Sequence, residues 1–148
     1  MNMLWNIEEQ IMSAASMNIN VTKISKHDTE LRFQQLSRKY ANGTKLFPLW
    51  EHLDNDIAIQ HPEAWKWIAE YIGNCQAILM FNPSDEKSSF EAEGGENLVK
   101  LLSEMFNVEF YVTNKNNEYY LLCFNHHDVL IACGDATEWI KKYENIQG

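Results

Sequence analysis

The stretch Gln76-Ala77-Ile78-Leu79-Met80-Phe81 decides how this chain folds. From Ala77 onward every residue is apolar, so both alternating faces of an extended segment are apolar there. This pattern is typical of a central strand that is covered on both sides. The turn-forming residues Asn82-Pro83-Ser84-Asp85 end it. The sequence therefore predicts an interior strand over residues 76–81.

The residues after this strand predict one helix and three further strands. A polar loop leads to a helix whose apolar positions are Leu98, Leu101, Leu102, Met105 and Phe106. Strands are predicted over residues 108–113, 119–124 and 129–133, with a turn at residues 115–117. If the strands that flank the helix share a sheet, they form a right-handed parallel crossover. A last helix is predicted to begin with an Asp135 capping box.

The N-terminal half reads mainly as helices. An amphipathic helix is predicted over residues 5–16. Residues 28–40 fit a helix capped by Asp28, but residues 32–36 also fit a strand, and the pattern leaves both open. A helix over residues 63–71 follows Pro62 and ends at Gly73.

These elements predict one α+β domain over residues 1–148. We expect a mixed, mainly antiparallel sheet of about four strands, with the N-terminal helices and the crossover helix packed on it.

The composition is that of an acidic globular protein. The 148 residues include 21 acidic and 12 basic side chains, a formal charge of −9. Such a charge repels nucleic acid and anionic membranes, so we expect direct binding to neither, and it favours a basic partner. Three cysteines fit a reducing compartment better than a disulfide scaffold. With no bilayer-length apolar stretch and no signal-peptide pattern, we expect a cytoplasmic protein.

The negative charge is concentrated in the middle of the chain. Residues 51–110 hold twelve acidic and three basic side chains, whereas residues 1–50 hold four and six. Such a block is either a solvated face that keeps the protein soluble or a surface that steers a cationic partner. The candidate contact residues are Asp54, Asp56, Asp85, Glu86, Glu91, Glu93 and Glu96, together with Phe90 as an apolar anchor.

A tryptophan adds to this candidate surface. Trp65 and Trp67 lie two positions apart on a predicted helix, so their side chains point about 200° apart. Trp65 fits the buried stripe, which leaves Trp67 as the contact candidate. The alternative is that other N-terminal elements cover both rings.

The triplet His126-His127-Asp128 combines the residue types most often used as metal ligands and acid–base groups. With a two-residue loop, Cys123 faces Leu130 and the two strand cysteines fall on opposite sheet faces. This disfavours a zinc site within the hairpin and favours a polar turn, so we expect no metal and no cofactor. A small hydrolase or transferase that uses the triplet is the alternative function, and a structural adaptor is another.

Three segments resemble small bacterial immunity proteins encoded beside polymorphic toxins: residues 78–85 (ILMFNPSD), 109–114 (EFYVTN) and 123–134 (CFNHHDVLIACG). The class they resemble is the contact-dependent growth-inhibition immunity proteins, with an EndoU-type ribonuclease domain as the opposing toxin. The resemblance rests on pattern, size and acidity and carries over no individual binding residue. It implies a non-enzymatic cytosolic protein that binds one cognate basic toxin nuclease domain and blocks its active site or substrate groove.

Overall fold

A seven-stranded sheet forms the centre of this computed structural model, which describes residues 6–105, 108–116 and 118–144. The strands are β1 (Val21–Ile24), β2 (Ile57–Gln60), β3 (Gln76–Met80), β4 (Ser89–Glu93), β5 (Phe110–Asn114), β6 (Tyr120–Phe124) and β7 (Val129–Gly134). Their order across the sheet is β1-β4-β3-β5-β6-β7-β2. Every neighbouring pair runs antiparallel.

Helices cover both faces of the sheet. They are α1 (Ile7–Ala15), α2 (Lys26–Tyr40), α3 (Ala64–Ile72), α4 (Gly95–Ser103) and α5 (Ala136–Ile140), with 3₁₀ turns at Leu49–His52 and Lys141–Tyr143. Helices α1, α3, α4 and α5 share a core with one face, here named the four-helix face. Helix α2 and the first 3₁₀ turn share a core with the other, here named the α2 face.

Strand β3 confirms the predicted central strand. Ala77 and Leu79 pack on the four-helix face, whereas Ile78 and Met80 pack on the α2 face. All four side chains are fully buried. The apolar run is needed because neither face of this strand meets water.

The predicted sheet of about four strands is wrong, because the described residues form seven. Strands β1 and β2 have four residues each and lie at the two edges of the sheet. Strand β4 is the segment Ser-Phe-Glu-Ala-Glu. Because of its charge, this segment resembles a loop in the sequence. Its alternation buries Phe90 and Ala92 on the four-helix face and turns Glu91 to the other side.

The predicted parallel crossover and mixed sheet are also wrong. Strand β4 reverses the chain after β3, so β5 runs antiparallel to β3. Helix α4 instead connects β4 to β5, which are separated in the sheet by β3. Because the short strand β4 was not predicted, the predicted direction of β5 is opposite to the observed one.

The helix over residues 28–40 is confirmed, and the alternative strand over residues 32–36 is wrong. The helix begins at Lys26, and its N-cap is Ser25, whose hydroxyl accepts a hydrogen bond from the Asp28 backbone N–H at 3.1 Å. Phe33 and Leu36 are buried on the α2 face, and this tertiary packing stabilises the helix rather than the alternative strand.

Helices α1 and α3 also confirm predicted helices. Helix α1 has an Asn6 capping box, and α3 ends with Gly73 as its C-cap. The predicted Asp135 capping box is wrong, because the Asp135 side chain makes no cap hydrogen bond. Three residues named in the predicted elements, Trp5, Phe106 and Asn117, lie outside the described residues.

Gly95 sets how closely α3 and α4 approach. A Cβ atom at this position would lie 2.5 Å from the Ala69 carbonyl oxygen and 2.6 Å from the Ala69 Cα. Both are backbone atoms, so the contact is relieved only if one helix moves. Glycine is therefore required for this helix pair to pack on the sheet.

We expect Gly95→Ala to lower the free energy of unfolding by about 1–3 kcal/mol, because it overpacks a backbone contact. Urea denaturation measures the change. The control is Glu96→Ala on the same helix, whose exposed position predicts a change within about 0.5 kcal/mol. Equal stability of the two variants would show that α3 and α4 are not packed at Gly95.

Candidate functional site

One end of the sheet brings together acidic side chains that are far apart in sequence. Strands β3 and β6 finish at this end, and β5 and β7 begin there. The loop of residues 81–88, Glu109 and the turn of residues 125–128 are therefore neighbours. The acidic residues of this group are Asp85, Glu86, Glu109 and Asp128, and we call it the acidic end.

Asp85 and Glu109 are the electrostatic centre of the acidic end. Burial raises the pKa of the Asp85 carboxyl group above its ordinary value, and the nearby Glu109 carboxylate raises it further. Asp85 forms no ion pair among the described residues. The Glu109 Oε2 atom accepts a hydrogen bond from the His126 backbone N–H at 3.0 Å and also contacts His126 Nδ1. Among the described residues, neither Asp85 nor Glu109 forms an ion pair with a lysine or an arginine.

A buried tyrosine holds the loop that carries Asp85. The Tyr111 hydroxyl donates to Asn82 Oδ1 at 2.6 Å and accepts from the Leu49 backbone N–H at 2.8 Å. Burial strongly raises the pKa of this phenol, so it stays protonated and keeps donating. Asn82 begins the turn in which the Asp85 backbone N–H bonds the Asn82 carbonyl at 2.8 Å. The position of Asp85 is therefore coupled to the core of the α2 face.

A pocket of about 290 Å³ with a mixed polar and apolar lining opens beside the acidic end on the four-helix face. Its lining includes the large side chains Trp65, Met105, Phe110 and Phe124, and the polar residues His126 and Asp128. Because the β6–β7 turn contributes to both, the pocket and the acidic end form one surface.

The other predicted acidic contact residues lie elsewhere. Glu93 ends β4, about 15 Å along the strand from the loop that carries Glu86. Glu96, in the first turn of α4, lies at that same far end of the sheet. Asp54 and Asp56 precede β2 at the far end too, but near the opposite edge. The predicted acidic residues therefore form three separate groups.

Two predicted contact residues do not have the exposure that the sequence suggested. Phe90 is 1% exposed in the core of the four-helix face, so the prediction that it is an apolar anchor is wrong. Glu91 lies within β4 rather than in a loop, and its carboxylate forms an ion pair with Lys115 at 3.4 Å.

Trp67 is half-buried under the C-terminal segment. Its ring stacks on Tyr143 at a centroid distance of 4.1 Å and an interplanar angle of 4°. Trp65 is half-buried as well, so the expectation that Trp65 is buried and Trp67 exposed is wrong. Tyr143, which follows β7, covers the ring of Trp67, and His61, just before α3, contacts the same ring at a centroid distance of 5.1 Å.

Glu70 holds this aromatic cover in place. Its Oε1 atom accepts hydrogen bonds from Trp139 Nε1 at 3.0 Å and from the Tyr143 hydroxyl at 2.8 Å, and it contacts Lys142 Nζ. These contacts, with Lys142 contributing most, lower the pKa of Glu70 to about 2.

The β6–β7 turn is longer than predicted. Phe124 pairs with Leu130, and Cys123 pairs with Ile131. The register is shifted by one residue from the two-residue loop, so Cys123 and Cys133 lie on the same face, and both are buried. The opposite-face argument against a zinc site is therefore wrong. Among residues 6–105, 108–116 and 118–144 no three His, Cys, Asp or Glu side chains are grouped so that they could hold a metal ion.

The expected polar turn is present. Asn125 Oδ1 accepts hydrogen bonds from the backbone N–H groups of His127 at 2.9 Å and Val129 at 3.4 Å. His126 contacts Glu109 rather than Asp128. Glu109 is the site residue that the sequence analysis missed, because it reads as part of a strand. No signal in the sequence could have placed it beside Asp85, because the predicted parallel crossover puts the start of this strand at the opposite end of the sheet, and only the observed antiparallel pairing brings the two together.

Comparisons with family models, with curated proteins and with solved structures give no match to this chain. Within the part of the chain that the structure describes, no helix has the length and apolar character needed to cross a membrane.

We expect the stabilising effect of Glu70 to depend on pH. Its pKa is lowered from 4.5 to about 2 by folding, so its contribution is complete above pH 4.5 and is lost as the pH falls toward 2. The stability difference between the parent and Glu70→Gln, from urea midpoints, should therefore shrink over that range. Glu144→Gln, which removes an exposed carboxylate without an ion pair among the described residues, is the control. A difference that stays constant from pH 6 to pH 2 would contradict the role of Glu70.

Proposed function

We propose that this protein is a non-enzymatic immunity protein that binds and neutralises a cognate basic toxin nuclease domain through the acidic end. The observation that carries the proposal is that antiparallel pairing of β3 and β5 brings the loop with Asp85 and the strand start with Glu109 to one end of the sheet, where neither carboxylate is paired with a lysine or arginine of the described chain. Like charges held together are unfavourable, and a cationic side chain from a partner relieves that repulsion.

The pocket beside the acidic end supports a protein partner, because large aromatic side chains form part of its lining. Tight interfaces usually combine a desolvated apolar anchor with charged groups around it. The aromatic lining by Trp65, Phe110 and Phe124 can take such an anchor while Asp85 and Glu109 meet basic groups. A small inorganic cation would not need the aromatic lining of this pocket, so the lining favours a protein partner over a metal ion.

The rigidity of the loop supports tight binding. The Tyr111–Asn82 hydrogen bond fixes the loop before any partner arrives, so little conformational entropy is lost on association. A pre-organised acidic surface suits an inhibitor of a ribonuclease, whose RNA-binding groove must be cationic.

The segments that resemble immunity proteins support the choice of partner class. Residues 78–85, 109–114 and 123–134 are β3 with its loop, β5 with Glu109, and the β6–β7 hairpin. These are the segments that meet at the acidic end, so the resemblance and the charge geometry concern the same surface.

Three double variants test the surface at equal net charge. They are Asp85→Asn/Glu86→Gln at the acidic end, Glu93→Gln/Glu96→Gln at the far end of β4, and Asp54→Asn/Asp56→Asn before β2. Each removes two negative charges, so general steering by the −9 net charge changes equally. Association rates are measured against the toxin domain encoded by the neighbouring reading frame, at low and at physiological salt.

We expect only the acidic-end variant to slow association by at least about fivefold at low salt and to flatten its salt dependence. Equal effects of all three variants would move the contact away from the acidic end. If the neighbouring product is not toxic, or is toxic but not neutralised by this protein, the immunity function itself is contradicted.

The second candidate function is a small hydrolase or transferase. The contact between His126 and Glu109 favours it, because a carboxylate that orients an imidazole beside a pocket is a common acid–base arrangement. Asp128 and His127 do not take part in this contact.

We expect His126→Ala/His127→Ala to retain protection against the toxin domain, because the proposed contact depends on the carboxylates. Growth of cells that express the toxin domain measures protection. His127→Ala alone is the control, because the His127 ring forms no hydrogen bond with Glu109 among the described residues. Loss of protection only in the double variant would favour the acid–base function instead.

A further inference from the structure

A second cavity, of about 580 Å³, lies on the α2 face, away from the pocket beside the acidic end. It is bounded by α2 and by parts of the segments 44–47 and 83–87. Its volume is in the range of small-molecule binding sites, which is about 300–1,000 Å³.

Three lysines line this cavity, although the protein is acidic overall. They are Lys26, Lys45 and Lys87, and all three are exposed. Glu30 is the only carboxylate in the lining, so the lining carries a formal charge of +2 with His27 neutral. In a chain of net charge −9, this is a local reversal of sign.

The three lysines are not used by the ion pairs of the fold. All 12 lysines and arginines lie in the described residues, and six of them pair with carboxylates: Lys23, Arg32, Lys66, Lys115, Lys141 and Lys142. Lys26, Lys45 and Lys87 form no such pair within that part of the chain. Lysines from three separate segments therefore line one cavity, and none of them has an ion-pair partner among the described residues.

The cavity also has an apolar wall. Phe33 and Phe47 meet edge to face at a centroid distance of 5.0 Å, and both line the cavity together with Pro83. Phe47 is 38% exposed, which leaves aromatic surface open to water. A ligand with an apolar body removes that surface from water, whereas an inorganic anion does not.

We propose that this cavity binds a small organic anion, an apolar or aromatic body that carries one carboxylate, phosphate or sulfonate group. The anionic group lies among Lys26, Lys45 and Lys87, and the body packs on Phe33 and Phe47. This site is separate from the proposed toxin contact and does not depend on it.

Two fluorescent probes that differ by one anionic group test the site. They are anilinonaphthalene sulfonate and the neutral N-phenylnaphthylamine. The variant is Lys45→Gln/Lys87→Gln, and the control is Lys100→Gln/Lys141→Gln, which removes two positive charges from elements packed on the four-helix face. Melting curves equal to that of the parent establish that both double variants are folded.

We expect the parent to bind the sulfonate more tightly than the neutral probe. The cavity variant should raise the Kd of the sulfonate about fivefold to tenfold, with no change for the neutral probe and none in the control variant. Phe47→Ser should weaken both probes. Competition by decanoate and by decyl phosphate then identifies the preferred anionic group, and displacement by either supports the site.

The proposal is overturned if the two probes bind equally, or if both double variants weaken the sulfonate to the same extent. Changes in amide chemical shifts on addition of the sulfonate probe locate its binding site independently. Sulfonate-induced shifts in residues 26–37, 44–47 and 83–87 support the cavity, and shifts confined to the pocket lined by Trp65 and Phe124 contradict it.

Discussion

The fold depends on burying both faces of the sheet around β3. Four consecutive side chains, Ala77 to Met80, have no contact with solvent, and they alternate between two separate cores. Burying a large aliphatic side chain contributes about 1.5–3 kcal/mol, so neither face can be left open. The chain therefore needs a helical layer on each side, and the α2 layer is the thinner one.

The thin layer explains the buried polar network on the α2 face. Helix α2 alone does not cover the sheet, and the segment after it, including Leu49 and Trp50, packs over Tyr111. The Tyr111 hydroxyl is then out of reach of water and needs hydrogen-bond partners, which are Asn82 and the Leu49 backbone. The same bonds that satisfy this hydroxyl fix the loop after β3.

That loop connects two surfaces of opposite charge. Asp85 lies at the acidic end, near Glu109, whereas Pro83 and Lys87 line the cationic cavity beside α2. Since exposed ion pairs stabilise a fold only weakly, the stability of the core does not require these charges to be neutralised within the chain. They remain exposed for the two contacts proposed above, a basic protein at one surface and an organic anion at the other.

Local signals in the amino-acid sequence are enough to predict several elements. The apolar run of β3, the helical spacing in α3 and α4, and the turn residues around Asn125 result from interactions between near neighbours. The strand, the two helices and the presence of a polar turn were predicted correctly, as was the α+β class, whereas the length of that turn was not. The class of partner is a proposal for both the sequence and the structure.

Features that depend on pairing between distant segments could be read only from the folded chain. The edge strands β1 and β2 have only four residues each, and the glutamates of β4 resemble a polar loop. Each of the three is a strand because a neighbouring strand supplies its hydrogen bonds. The register between β6 and β7 depends on the length of the turn that joins them, which only the structure shows. The predicted register was off by one residue, and this error placed the side chains of β7 on the wrong faces of the sheet. Asp85 and Glu109 are 24 positions apart. They meet because antiparallel pairing of β3 and β5 brings the end of one strand beside the start of the other.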